Sequence, residues 1–416
     1  MVVSKMSKGR RVLMVCTREI PVQSGNGRER TMAFIKGALA AQGDIEILRF
    51  YSVLERRSVR CLLFMLWAGL RGLLKAQPIP LQALLFYDQR NIHALAHAVA
   101  QFRPDTVYFD GVRSGIHGLV LRRDHIGLRL VCDFDDLMSR RMKMLLQEGQ
   151  PISMGYLKKF LPNWFQRYVL NGVLSRLIQE YEWRALLGTE IRISRVCDKV
   201  VLVSSVEAEH LRRQCASVPV EVIPPYMKPQ RSLHTLSSID RFVFVGSDSF
   251  LQNRKSIEYL VALWRRLQPT TPLHIFGKQS DSYFETPSVV FRGFVPDVAD
   301  AYAAGCVMLS PSFISGGVKT KILEAMSYSI VPIGTNITFE GIDADCKGLT
   351  FSLNQLEEIV RAPQLWLQHI AKEGLAVIKK VSESHSADVL SERWCRVVWP
   401  LDSNDSIKAQ IGFVRI

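Results

Sequence analysis

The sequence has no C-x-x-C pair and no cysteine–histidine spacing of a zinc site, although it contains eight cysteines. Neither a disulfide framework nor a structural zinc is indicated. Cys16 and Cys132 sit inside apolar runs, and the cysteines read as reduced core residues of a cytosolic protein. No apolar run reaches the ~20 residues of a membrane span. The nearest, Cys61 to Lys75, is interrupted by Arg71. The first residues, MVVSKMSKGRRVLMVC, lack the long apolar region and cleavage site of a secretory signal and read as leading into a buried strand. There is no G-x-G-x-x-G, so a dinucleotide site is not supported. No solenoid period and no low-complexity tract is present. Acid is also in short supply, with 39 Asp and Glu against 53 Lys and Arg, a net charge of +14. That excess asks for an acidic partner: nucleic acid, anionic lipid or a phosphorylated substrate. Nucleic acid is disfavoured, because no helix-turn-helix, zinc finger or RNP-type motif accompanies the charge.

What is present is an alternation of short apolar runs and helical stretches. A hydrophobic content of 48% and a charged content of 22% are those of a globular protein, and 416 residues suggest two or three domains. The first half offers runs at 11–16, 45–51, 106–111, 129–136, 199–204 and 220–225; the second offers 241–247, 273–278, 289–294, 307–312 and 331–335. Continuous Val/Ile/Leu runs without strict alternation suit parallel strands buried on both faces. The reading is α/β, with two Rossmann-like doubly wound domains and a cleft between them. PPYMKPQRS, 224–232, reads as the linker. The expected division is 1–228 as an acceptor-side domain, 229–381 as a donor domain, and 382–416 as a helix and tail returning to the first domain.

In open parallel sheets, ligands bind beyond the carboxyl ends of the strands. Three such places carry unusual residues. The first is CTREIPVQSGNGRERTMAF, with Gly25 and Gly27 followed by Arg28 and Arg30 on a helix. Small residues admit a phosphate or sugar, and a helix start attracts negative charge; an ordinary βα loop is the alternative. The second is FVGSDSFLQNRKSIEYL, where Arg254 and Lys255 near a helix start could clamp phosphate or form a solvated basic turn. The third is SFISGGVKTKILEAMSYSIVPIGTNITFEGI, where Gly316, Gly317, Lys319 and Lys321 lead into a helix bearing Glu324 among apolar neighbours. A carboxylate gripping sugar hydroxyls fits this convergence; the alternative is a glutamate favoured by the helix macrodipole.

The block SGGVKTKILEAMSYSIVPIGTNITFEGI resembles the donor-binding core of the GT-B glycosyltransferases, nearest to glycosyltransferase family 4. FVGSDSFLQNRKSIEYL and the Gly25–Gly27 loop are similar to that family's other phosphate-side loops. The resemblance implies a GT-B fold and a nucleotide-diphosphate sugar as donor. It implies that Glu324 holds the ribose and that Lys319 or Lys321 meets the diphosphate. It also implies a retaining transfer with no metal or other cofactor. One position departs from the pattern: the family's first glutamate, eight residues before Glu324, is Gly316 here.

A departing nucleoside diphosphate needs cations and oriented N–H groups more than a proton. Asp110, Asp135 and Asp136 end first-half strands and are candidates for acceptor contact, with helix capping as the alternative for each. Asp133-Phe134-Asp135 is also a D-x-D, the metal-binding mark of the GT-A fold. A nucleotide-sugar epimerase of the same fold and a non-catalytic partner subunit remain competing readings.

On a helix over 57–75, Arg57, Arg60, Phe64, Trp67, Arg71 and Lys75 form one stripe, and Leu62, Met65, Leu66 and Leu73 fall opposite as an expected core side. The stretch 154–170 has the same mixture. Together they suggest contact with an anionic membrane at its cytoplasmic face, and hence a glycan or lipid-linked acceptor.

Overall fold

The computed structural model describes residues 10–20, 27–149, 173–280, 283 and 287–399. Gly25 and the stretch 154–170 lie outside the described residues. The chain divides into two compact units, one of residues 1–223 with 391–416 and one of residues 224–390.

The first unit is built on a six-stranded parallel sheet of β1 (Arg11–Cys16), β2 (Asp44–Arg49), β3 (Thr106–Asp110), β4 (Arg129–Asp135), β5 (Lys199–Leu202) and β6 (Val220–Val222). Its order is β2-β1-β3-β4-β5-β6. The second is built on a five-stranded parallel sheet of β7 (Arg241–Val245), β8 (Leu273–Phe276), β9 (Val289–Gly293), β10 (Cys306–Ser310) and β11 (Pro332–Gly334). Its order is β11-β10-β7-β8-β9. Each of the eleven apolar runs read from the sequence overlaps one of these strands. The central strands are buried from end to end, which is why their sequences run apolar without alternation. Helices cover the sheets, and the strand order reverses between β1 and β3 in one unit and between β7 and β10 in the other. Those reversals define where crevices open above the carboxyl ends of the strands.

Each unit has its own core. In the first, Leu13, Val15, Phe109, Leu130 and Ile193 pack together. In the second, Phe242, Phe244, Ile257, Trp264, Leu309 and Ile322 do so. The Ala387–Val398 helix contributes to the first unit: Trp394 meets Tyr108 at 6.0 Å between ring centroids, and Thr106 Oγ1 donates to the Val398 carbonyl at 2.8 Å.

One expectation is reversed. The Val59–Leu74 helix turns Cys61, Ala68 and Gly72 inward, with Phe64 and Met65 packed against the core. Leu62, Leu66 and Leu73, expected on the core side, are exposed. At the end of the helix the exiting chain folds back on Gly72, where a Cβ would stand 2.9 Å from the Gln77 carbonyl oxygen.

Candidate functional site

The crevice at the second sheet's reversal is framed by the segments that follow β7 and β10. After β7, Gly246 leaves room for Asn253 of the Leu251–Leu267 helix: a Cβ there would lie 2.7 Å from Asn253 Cγ and would displace that side chain. The close approach seats Asn253, which donates from Nδ2 to the Ser247 carbonyl at 3.0 Å. Its Oδ1 accepts from Lys321 Nζ at 3.0 Å. Lys321 belongs to the Thr320–Ser327 helix after β10, so this bond spans the reversal. The ammonium also lies over the Phe244 ring, 4.0 Å from its centroid. Burial, reinforced by the charge of Lys319, pushes the Lys321 pKa down to about 7. A lysine placed this way gains when an anion arrives beside it.

After β10, Gly316 and Gly317 adopt φ of 127° and 59°, where L side chains are disfavoured. The turn is held by Glu340, which follows the short Asn336–Phe339 turn beyond β11. Glu340 accepts from Ser315 Oγ at 2.7 and 2.5 Å and from the Gly316 N–H at 3.1 Å. Lys319 Nζ stands 3.6 Å from Glu340 Oε2 and donates to the Gly316 carbonyl at 3.3 Å. With 4% and 9% of their side chains exposed, Lys319 and Glu340 form a buried ion pair. The two lysines therefore differ: Lys319 is tied to a carboxylate, and Lys321 to a neutral amide and a ring. The same end of β10 is fixed by Thr338 Oγ1 to the Ser310 carbonyl at 2.5 Å and Ser256 Oγ to the Pro311 carbonyl at 2.6 Å.

Glu324 is the fifth residue of its helix and half-buried. It lies beyond the first turn, so the macrodipole does not account for it. The fully buried Tyr302 lies near it; burial first, and then the Glu324 charge, raise that phenol well above its ordinary pKa. Arg254 and Lys255 occupy the first turns of the Leu251–Leu267 helix, both half-buried. Arg254 Nε donates to the Asp248 carbonyl at 3.2 Å.

In the first unit the corresponding crevice, between β1 and β3, is filled by charge. Gly27 begins the Gly27–Ala40 helix, and the next residue, Arg28, reaches back across the strand ends. Its Nη2 donates to Asp110 Oδ1 at 2.5 Å and to Asp133 Oδ2 at 2.9 Å, and its Nη1 lies 3.4 Å from Asp135 Oδ1. Burial alone would lower the Arg28 pKa; Asp133, Asp110 and Asp135 outweigh it and hold it well above the ordinary value. Burial raises Asp133 and Asp135 against the opposing pull of Arg28. Asp133 also accepts from Tyr108 Oη at 2.6 Å and from the Asp135 N–H at 2.9 Å. Asp110 precedes a short helix without capping it through its side chain. Asp135 has φ of 64° and keeps 38% of its side chain exposed. Asp136 is buried and paired with Arg141.

Asp110 and Asp135 are thus brought together around Arg28, and Asp136 is held separately. Asp133, the first residue of the D-x-D, faces an arginine and a phenol. Among the described residues, no three His, Cys, Asp or Glu side chains converge as a metal-ligand set. Sequence reasoning missed Asn253, Glu340 and the pairing of Arg28. Glu340 was visible only as part of the trailing E-G-I, and nothing in sequence spacing ties it to Gly316, 24 residues earlier.

Residues 239–369 match the family described as Glycosyl transferases group 1. No curated protein sequence matches the chain. Among solved structures, the sucrose-phosphate synthase of Thermosynechococcus elongatus aligns over 98% of this chain and 100% of its own, with TM-score 0.56 and 15% identity. The lipopolysaccharide outer core galactosyltransferase WaaB aligns over 94% and 99%, with TM-score 0.58 and 13% identity. HepE of Anabaena, in complex with UDP, aligns over 94% and 100%, with TM-score 0.57 and 12% identity. The fold is GT-B. The second unit carries a group 1 glycosyl transferase domain, and the protein is a glycosyltransferase.

Proposed function

We propose that the protein moves a sugar from a nucleotide-diphosphate sugar to a glycan or lipid-linked acceptor in surface polysaccharide or glycoconjugate synthesis. The transfer proceeds with retention and needs neither metal nor other cofactor. The observation that carries this reading is Lys321, held between Asn253 and the Phe244 ring at the reversal of the second sheet. A depressed lysine there is poised to take up a proton when phosphate oxygens approach, and to neutralise the departing diphosphate. The half-buried Arg254 and Lys255, on the adjoining helix, supply further positive charge. Glu324 holds the ribose hydroxyls. Gly316 stands where the family has its first glutamate, and its turn is held by Glu340, which is itself paired with Lys319. Of the three aspartates around Arg28, Asp135 keeps the most exposed surface and is the residue proposed to meet the acceptor. The reaction takes place in the cytoplasm, with the acceptor carried at an anionic membrane surface.

HepE is described in complex with UDP and with UDP-glucose, so uridine donors are the first to try. The test is turnover: purified protein, a panel of UDP-, GDP- and ADP-sugars, and lipid-linked acceptors, with EDTA in half the reactions. Nucleoside diphosphate released only with acceptor, and unaffected by EDTA, is expected. An epimerised nucleotide sugar, or loss of rate on chelation restored by magnesium, would overturn the reading.

A further inference from the structure

The Val59–Leu74 helix leaves its more hydrophobic side uncovered. Val59, Leu62, Leu63, Leu66, Trp67, Leu70, Leu73 and Leu74 are all exposed. They recur at spacings of three and four, so they form one continuous stripe along sixteen residues. Leu63 is 60% exposed, Leu70 58% and Leu74 79%. Single exposed leucines need no explanation, but a contiguous stripe does. The stripe is bracketed by cations, with Arg57 and Arg60 at one end and Arg71 and Lys75 at the other, all exposed. The Arg71 guanidinium lies over the Trp67 ring, 5.0 Å from its centroid, which keeps an aromatic and a charge together at the helix flank.

We propose that this helix is an interfacial docking surface: its Leu/Trp stripe enters the acyl boundary of an anionic bilayer, and Arg57, Arg60, Arg71 and Lys75 lie at the headgroups. The inference rests on the membrane part of the proposed function and is independent of the transfer chemistry. Charge selects this occupant over a second copy of the chain. From Arg56 to Tyr87 the sequence contains no Asp or Glu. Two such helices face to face would bring like charges together at both ends of the seam, with no acid to pair them. A bilayer containing phosphatidylglycerol supplies both an apolar layer and negative headgroups. Among the described residues, no helix is long and apolar enough to cross a membrane. The helix lies in the interface plane, with its basic ends at the headgroups and Cys61, Ala68 and Gly72 on the protein side. This inverts the sequence reading, in which the basic stripe itself was the contact and the leucines were core.

The test is flotation of the full chain with vesicles of phosphatidylcholine alone or with phosphatidylglycerol added. Two variants separate the contributions. Leu63→Gln/Leu66→Gln/Leu70→Gln removes stripe residues, and Arg60→Glu/Arg71→Glu/Lys75→Glu reverses the flanking charge. All six positions are exposed, so both variants should fold, and circular dichroism and melting check this. The wild-type chain should float with anionic vesicles and at least tenfold less with neutral ones. The leucine variant should lose at least tenfold in binding at any salt concentration. The charge variant should lose binding most at low salt. Light scattering without lipid should give the same mass for wild type and leucine variant. Failure to bind anionic vesicles, or binding unchanged by the leucine substitutions, overturns the proposal. So does a lipid-free dimer that the leucine variant dissociates, which would assign the stripe to a second copy. Nucleoside diphosphate affinity, measured on both variants, should be unchanged, so a failed donor site would show separately from a failed docking surface.

Discussion

Lys321→Met should make the protein more stable at neutral pH while impairing the donor site. Methionine is close in length and unbranched, and it carries no charge into the space beside Phe244. In the folded chain, burial brings the Lys321 pKa from 10.5 down to about 7. An unfolded lysine keeps the higher value and binds more protons between those two pH values, so stability falls as pH falls through the window. Below pH 7 both states are protonated and the full penalty is present; above 10.5 it vanishes. Each pH unit inside the window is worth about 1.4 kcal/mol. Integration gives a penalty of roughly 4 kcal/mol at pH 7 and about 2 kcal/mol at pH 9. The half-buried side chain retains some solvent, so these are upper figures. Relative to wild type, the methionine variant should gain stability at pH 7, and the gain should shrink by about 2 kcal/mol on going to pH 9. Urea unfolding at pH 7, 8 and 9 measures this directly. A gain that does not change with pH would mean that Lys321 keeps an ordinary pKa, and would refute the argument. A loss of stability at all three pH values would show that the Asn253 bond outweighs desolvation.

Glu324→Gln should weaken nucleotide-sugar binding by ~1.5–3 kcal/mol, the worth of a charge-assisted hydrogen bond; unchanged affinity by calorimetry in a folded variant removes Glu324 from the site. Glu340→Ala takes the carboxylate from Lys319 and the Gly316 turn, and should cost ~3–5 kcal/mol of stability. Adding Lys319→Met should recover much of that loss, and a single variant that melts like wild type contradicts the buried pair. Glu190 is fully buried, accepts from the Ser139 N–H at 3.0 Å and Oγ at 2.5 Å, and has its pKa raised by burial to about 8. Its contribution is complete below the unfolded carboxyl value and is lost as pH rises through 8, so Glu190→Gln should stabilise the chain at pH 9 relative to pH 6. An equal effect at both pH values counts against it.

The strands were legible because buried parallel strands are written as uninterrupted Val/Ile/Leu/Phe runs, from RVLMVC to VPIGT. The crevice was legible because glycines and cations gather after β7 and β10, where a doubly wound sheet opens. What escaped was pairing across the fold. Arg28 reads as a helix-start cation, and only the structure shows it bound to Asp110 and Asp133, over eighty residues away. Lys319 and Lys321 look equivalent two residues apart, yet one meets Glu340 and the other Asn253. Which charges neutralise one another is set by tertiary contact, and a single sequence does not record it. The Val59–Leu74 helix failed for a related reason. Its leucines fit the periodic rule for a core face, but Cys61, Ala68 and Gly72, with Phe64 and Met65, turn inward instead.

The central claim is that Lys321 meets the diphosphate of a nucleotide donor. Calorimetric titration with UDP, GDP and ADP at pH 8, in two buffers of different ionisation enthalpy, tests it most directly. At that pH the unliganded Lys321 is mostly neutral, and an adjoining diphosphate should restore its proton. The account expects one nucleoside diphosphate to bind wild type with uptake of about one proton, and to bind Lys321→Met more weakly with none. Binding with no proton uptake, or an uptake that survives the methionine substitution, would contradict it.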